Sequence, residues 1–127
     1  MRTEIESTTK VVTTLAPAAR TATANGTGVD LANFGQNLII IPAGTRTDGA
    51  HTPTIEESND NSSFSTVAAG DLAGDPLVAI TTDSVQKVSY IGTKRYIRVK
   101  VTVTGSPATG AVYGAVVELR GGRKQPV

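Results

Sequence analysis

The densest group of chemically capable side chains lies in residues 48–65, DGAHTPTIEESNDNSSFS, with the only histidine, four carboxylates and two amides. Zinc or nucleophilic chemistry at His51 would need further ligands or a matched nucleophile, and the chain has no second histidine and no cysteine. A helix–loop–helix calcium site needs acidic or amide ligands at alternating positions, a central glycine and a distant glutamate. Here Glu56, Glu57, Asn59, Asp60 and Asn61 crowd together with no glycine after them. Paired-carboxylate catalysis needs convergence, whereas Glu56 and Glu57 on a strand point to opposite faces. Asn, Asp and Ser cap turns with their own side chains. The stretch therefore reads as a hairpin, TPTIEES and SSFSTVAA flanking NDN, with Ile55 and Phe64 inward and His51 a loop residue that only hydrogen-bonds. No catalytic residue, metal or cofactor is expected.

Other motifs are weaker. GTGVDLANFG lacks the lysine and the strand-to-helix setting of a phosphate cradle, and Asp71 and Asp75 flank LAG as solvated turn residues. Lys94, Arg95, Arg98 and Lys100 form a basic cluster around Tyr96. Alternation places Tyr96, Arg98 and Lys100 on one outward face, where they could meet an acidic partner or a phosphate backbone. The favoured reading is a solvated face whose charge discourages edge-to-edge aggregation.

The elements that must hold these residues are strands. Thr and Val suit a pleated surface, and thirteen glycines and six prolines break most windows long enough for a helix. In RYIRVKVTVT, Ile97, Val99, Val101 and Val103 share one face. GSPATG follows, then AVYGAVVELR, with Tyr113, Ala115, Val117 and Leu119 in phase. The pair reads as an antiparallel hairpin. QNLIIIPAG, with four apolar residues in a row, suits a central strand covered on both sides, and QKVSYIG another short strand with Tyr90 inward. KVVTTLAPAARTATANG reads as two strand pieces interrupted at Pro17, VDLANFGQN as a linker carrying Phe34 toward the core, and AGDLAGDPL as the one place for a short helical turn.

Strands at this spacing predict an all-β protein, a single-domain antiparallel β-sandwich of jelly-roll-like form. Its parts are a flexible, polar N-terminal arm (1–10), the sandwich (11–121) and a C-terminal tail (122–127). The length, 127 residues, suits one domain with a core that needs no disulfide or metal. A net charge of +1 gives no case for nucleic acid as a main partner. No apolar run approaches the roughly 20 residues of a membrane span, and MRTEIESTTK lacks the apolar core of a secretory signal. The expectation is a soluble protein kept inside the cell that makes it.

Several phrases together resemble a family of small proteins from the structural-gene blocks of tailed bacteriophages and prophages. They are NGTGVDL, DGAHTP followed by EESNDNSSF, GTKRYIRV and GAVYGAVVE, and the resemblance spans residues 11–121. It implies a virion structural component and not an enzyme: a capsid decoration (cement) protein on the outer head surface, made in the host cytoplasm. The implied partners are the major capsid protein and copies of itself, with no nucleic acid, membrane or small-molecule substrate; because homo-oligomers are usually closed and symmetric, a trimer is the expected assembly. Arg2, Glu4 and Ile5 of the arm, with Tyr96, Arg98 and Lys100, are the expected contacts. Two other roles remain open at this point. One is a tail-tube, tail-terminator or head–tail joining protein; the other is a host-surface or carbohydrate-binding β-sandwich module.

Overall fold

β-Branched runs become strands over most of the chain, although residues 78–82 stay irregular. The computed structural model describes residues 4–122. In chain order the strands are β1 (Lys10–Arg20), β2 (Ala24–Asn25), β3 (Val29–Asp30), β4 (Phe34–Arg46) and β5 (Ala50–Ser58). They continue as β6 (Ser65–Thr66), β7 (Leu72–Ala73), β8 (Val85–Tyr90), β9 (Tyr96–Thr104) and β10 (Ala111–Gly122). Two 3-10 turns, Glu6–Thr8 and Ala69–Asp71, are the helical pieces among the described residues, the second of them inside AGDLAGDPL.

The strands form two antiparallel sheets, a β-sandwich. The first has the order β1-β10-β4-β8-β7; the second runs β2-β9-β5-β6, with β3 also on β9. The core lies between them. Ile39, Ile41, Tyr113, Val117 and Leu119 enter it from the first sheet, and Val29, Ile55, Ile97, Val99 and Val101 from the second.

β9 and β10 are both present but do not form the expected hairpin. β9 pairs with β5 in the second sheet and β10 with β1 and β4 in the first, so the 105–110 loop crosses the sandwich. Each strand turns its apolar alternation toward the same core from opposite sides, which the pattern alone permits as readily as pairing. β4 is central, between β10 and β8, yet it is not covered on both sides. Ile39 and Ile41 are buried, while Leu38 and Ile40 are half-buried on the outer face and Pro42 is exposed.

Pro17 does not end its strand either. β1 runs through it, and its register with β10 slips between Thr13 and Leu15 and again between Leu15 and Ala18, the kind of irregularity that accommodates a residue without an N–H. Gly114 of β10 lets this bulged edge close: a Cβ there would stand 3.0 Å from the Leu15 carbonyl oxygen and the Pro17 backbone. At the amino end, the Glu4 carboxylate accepts the Ser7 N–H (2.7 Å) and hydroxyl (3.1 Å), capping the first 3-10 turn just before β1. Arg2, within residues 1–3, and residues 123–127 of the expected tail lie outside the described residues.

Candidate functional site on the outer face of the second sheet

Tyr96, Arg98 and Lys100 stand on the outer side of β9, opposite Ser58, Glu56 and Thr54 of β5. Arg98 is not free there. Its Nε donates to Glu56 Oε1 at 2.8 Å and its Nη2 lies 2.7 Å from the same oxygen. The Glu56 side chain is 9% exposed and that of Arg98 22%. The guanidinium also lies 4.0 Å from the centroid of the Phe64 ring, a cation–π contact.

The polar turn after β5 brings Phe64 to this position. Asp60 Oδ1 accepts the N–H groups of Ser63 and Ser62 and the Ser58 hydroxyl, each at 2.9 Å. Those donors hold the Asp60 carboxyl below its ordinary range. The Ser58 oxygen in turn accepts the N–H groups of Asp60 and Asn61. The side chains of Ser58 and Asp60 therefore cap a turn, as the hairpin reading expects, but Phe64 does not point inward: its ring lies against Arg98 on the outer face. Among the described residues no three His, Asp or Glu side chains converge on a cation position.

Arg95 is also engaged, gripping Asp30 with two bonds of 2.9 and 2.8 Å and lying 5.2 Å from the Tyr96 ring centroid. The Arg95 hydrogen bond holds the Asp30 carboxyl below its ordinary range. Among the described residues, ion pairs claim both arginines and neither Lys94 nor Lys100. The cluster thus offers two lysines and an aromatic edge, a polar contact face rather than a phosphate grip. Of the arm residues, Glu4 and Ile5 are exposed; they do not join this cluster in any hydrogen bond or ion pair described.

A second cluster was missed by sequence reasoning. His51 is not in a loop: it sits inside β5, fully buried, with Nδ1 3.0 Å from the Tyr113 hydroxyl and Nε2 3.0 Å from the Asp48 carbonyl oxygen. A carbonyl only accepts, so Nε2 carries the proton and Nδ1 accepts from Tyr113. The Asp48 carboxylate then takes the N–H groups of Gly110, Ala108 and Thr109, which hold it below its ordinary range. Histidine, tyrosine and aspartate together fasten the 105–110 loop to one end of the sandwich. The signal was available: His51 is in phase with Pro53 and Ile55, both buried.

A third arrangement splits the two neighbouring glutamates as the strand geometry requires. Glu56 faces Arg98 outside, whereas Glu57 accepts the Tyr90 hydroxyl at 2.7 Å, and that hydroxyl accepts the Lys94 N–H at 2.9 Å. Burial first, and the bond to Glu57 second, push the Tyr90 hydroxyl up to about 12. A phenol whose pKa is raised on folding contributes stability below its unfolded value near 10, and loses it as pH rises toward the folded value. Tyr90→Phe should therefore be less stable at neutral pH, because Glu57 loses its donor. It should also show a smaller further loss between pH 10 and 12 than the parent. Equal alkaline slopes in urea melts would show that Tyr90 does not govern that limb.

No protein-family model matches this chain, and no curated protein shows significant similarity to it.

Proposed function

We propose that this chain is a structural protein of the tailed-phage virion, a decoration (cement) protein that sits on the outer capsid surface and binds the major capsid protein and further copies of itself. The structural observation that supports the reading is the strand order. With the short β3 and β7 set aside, the other eight strands run first-eighth-third-sixth in one sheet and second-seventh-fourth-fifth in the other. We read that winding as a jelly roll, an architecture used by viral capsid proteins. Lectins and cupins use it too, so the winding alone selects no function. Among those uses, the sequence phrases NGTGVDL, GTKRYIRV and GAVYGAVVE, read as resembling phage structural proteins, favour the virion.

The physics suits the role. A small sandwich with modest contacts, repeated over a lattice, attaches firmly through many weak sites. The exposed Glu4 and Ile5, with Arg2 ahead of them, would dock beside the outer β9 face or add to a neighbouring sheet edge. Quantitative mass spectrometry of purified virions tests the assignment. A copy number close to that of the major capsid protein is expected; a handful per particle would overturn it and move the protein to the joining region or tail tip. Deleting residues 1–9, which precede β1, should leave strand content intact and weaken head binding about tenfold, some 1.4 kcal/mol. Unchanged binding would remove the arm from the contact.

A further inference from the structure

The two outer faces of the sandwich differ in kind. The second sheet presents Thr52, Thr54, Thr102 and Thr104 to solvent beside the Glu56–Arg98 pair. The first sheet, built from the same threonine-rich chain, presents Val11, Leu38, Ile40, Val85, Val112 and Val116. Val85 is 68% exposed, Val11 62% and Val112 43%. A sheet face turned to water normally carries the polar half of the alternation, and contiguous apolar patches of several hundred Å² mark interaction sites.

We infer that the outer face of the first sheet is a self-association surface, covered in solution by the same face of a second copy. Charge favours that occupant. The face carries few charges, chiefly Lys87 opposite Ile40 on β8 and the Glu118–Arg120 pair on β10. A twofold axis along the strands, between β10 and β4, lays β8 of each copy over β1 of the other and β4 over β10. Lys87 then approaches the half of the partner that carries Glu118, and the valines and isoleucines meet one another. No like charges are opposed. The area fits as well. Four strands about 4.8 Å apart, with some ten residues at about 3.3 Å each, make a plane of about 600 Å². Its side-chain relief raises the accessible area toward the roughly 800 Å² per partner of a stable complex. Two such sheets stack about 10 Å apart, as inside a sandwich. A face that matches itself closes at two copies, whereas a ring of three needs two different surfaces.

The inference concerns the free protein and does not depend on the virion reading. Its test is sedimentation equilibrium of the purified full chain, alongside Val85→Lys and Val112→Lys, both at exposed positions that leave the core untouched. The parent is expected at twice the chain mass. Each variant should raise the dimer dissociation constant at least tenfold while keeping the parent's circular dichroism, and Thr102→Lys on the other face should not. Three results would overturn the inference: a parent that stays monomeric at high micromolar concentration, a parent that is trimeric, or dimers that both valine variants leave intact.

Discussion

Gly110→Ala should lower the melting temperature by roughly 10 °C or more, the largest effect expected of any single methyl group in this protein. Gly110 has a φ of +79°, a left-handed conformation that costs a residue with a Cβ about 1–3 kcal/mol. Space makes it worse: the added Cβ would lie 1.8 Å from the Arg20 carbonyl oxygen. That oxygen belongs to the backbone of β1, paired with Ala111 next in sequence, so relief requires the edge strand to move. Movement would also disturb the N–H that Gly110 gives to Asp48, and through Asp48 the link to His51. Together these cost about 3 kcal/mol or more, and each kcal/mol is worth about 3–5 °C in a domain of this size. Gly70→Ala is the matched control, since nothing lies within 4 Å of its Cβ position; its change should stay within about 0.5 kcal/mol. If calorimetry finds the two variants alike, the 105–110 loop is not held as described.

The same region shows what alternation can and cannot reveal. Ile97, Val99 and Val101 are inward because period two says so, and Tyr113, Ala115, Val117 and Leu119 likewise. The pattern is silent on which sheet a strand joins, because two strands facing each other across a core carry the same signal as two strands side by side. That is why β9 and β10 read as a hairpin. The Leu38–Ile41 run misleads for a related reason. Apolarity on both faces reads as burial on both, but a face can be apolar because another molecule covers it. At the candidate site, the outward placement of Tyr96, Arg98 and Lys100 was legible. The pairing of Arg98 with Glu56 was not, since it depends on the β5–β9 register, which no local pattern fixes. The buried histidine was hidden by its polar neighbours, although its phase with Ile55 pointed inward.

Glu56→Thr should cost about 2 kcal/mol, and adding Arg98→Thr should return most of it. The pair is largely shielded from water, and removing one member of a buried ion pair strands the other at about 3–5 kcal/mol; the residual exposure of Arg98 reduces that to about 2. The double variant strands nothing. It extends the cross-strand threonine pairing already present where Thr52 faces Thr102, a favourable pairing on an exposed sheet face. It also forgoes the Arg98–Phe64 contact, so it should end within about 1 kcal/mol of the parent. Urea melts of the two single variants, the double variant and the parent give the coupling directly. Strictly additive losses would mean that the pair contributes no specific stabilisation. The double variant then separates structure from recognition. If it folds like the parent but binds capsids less well, the charged pair is part of the contact. If it binds equally, the outer face of β9 is solvated, and attachment must be sought in the arm.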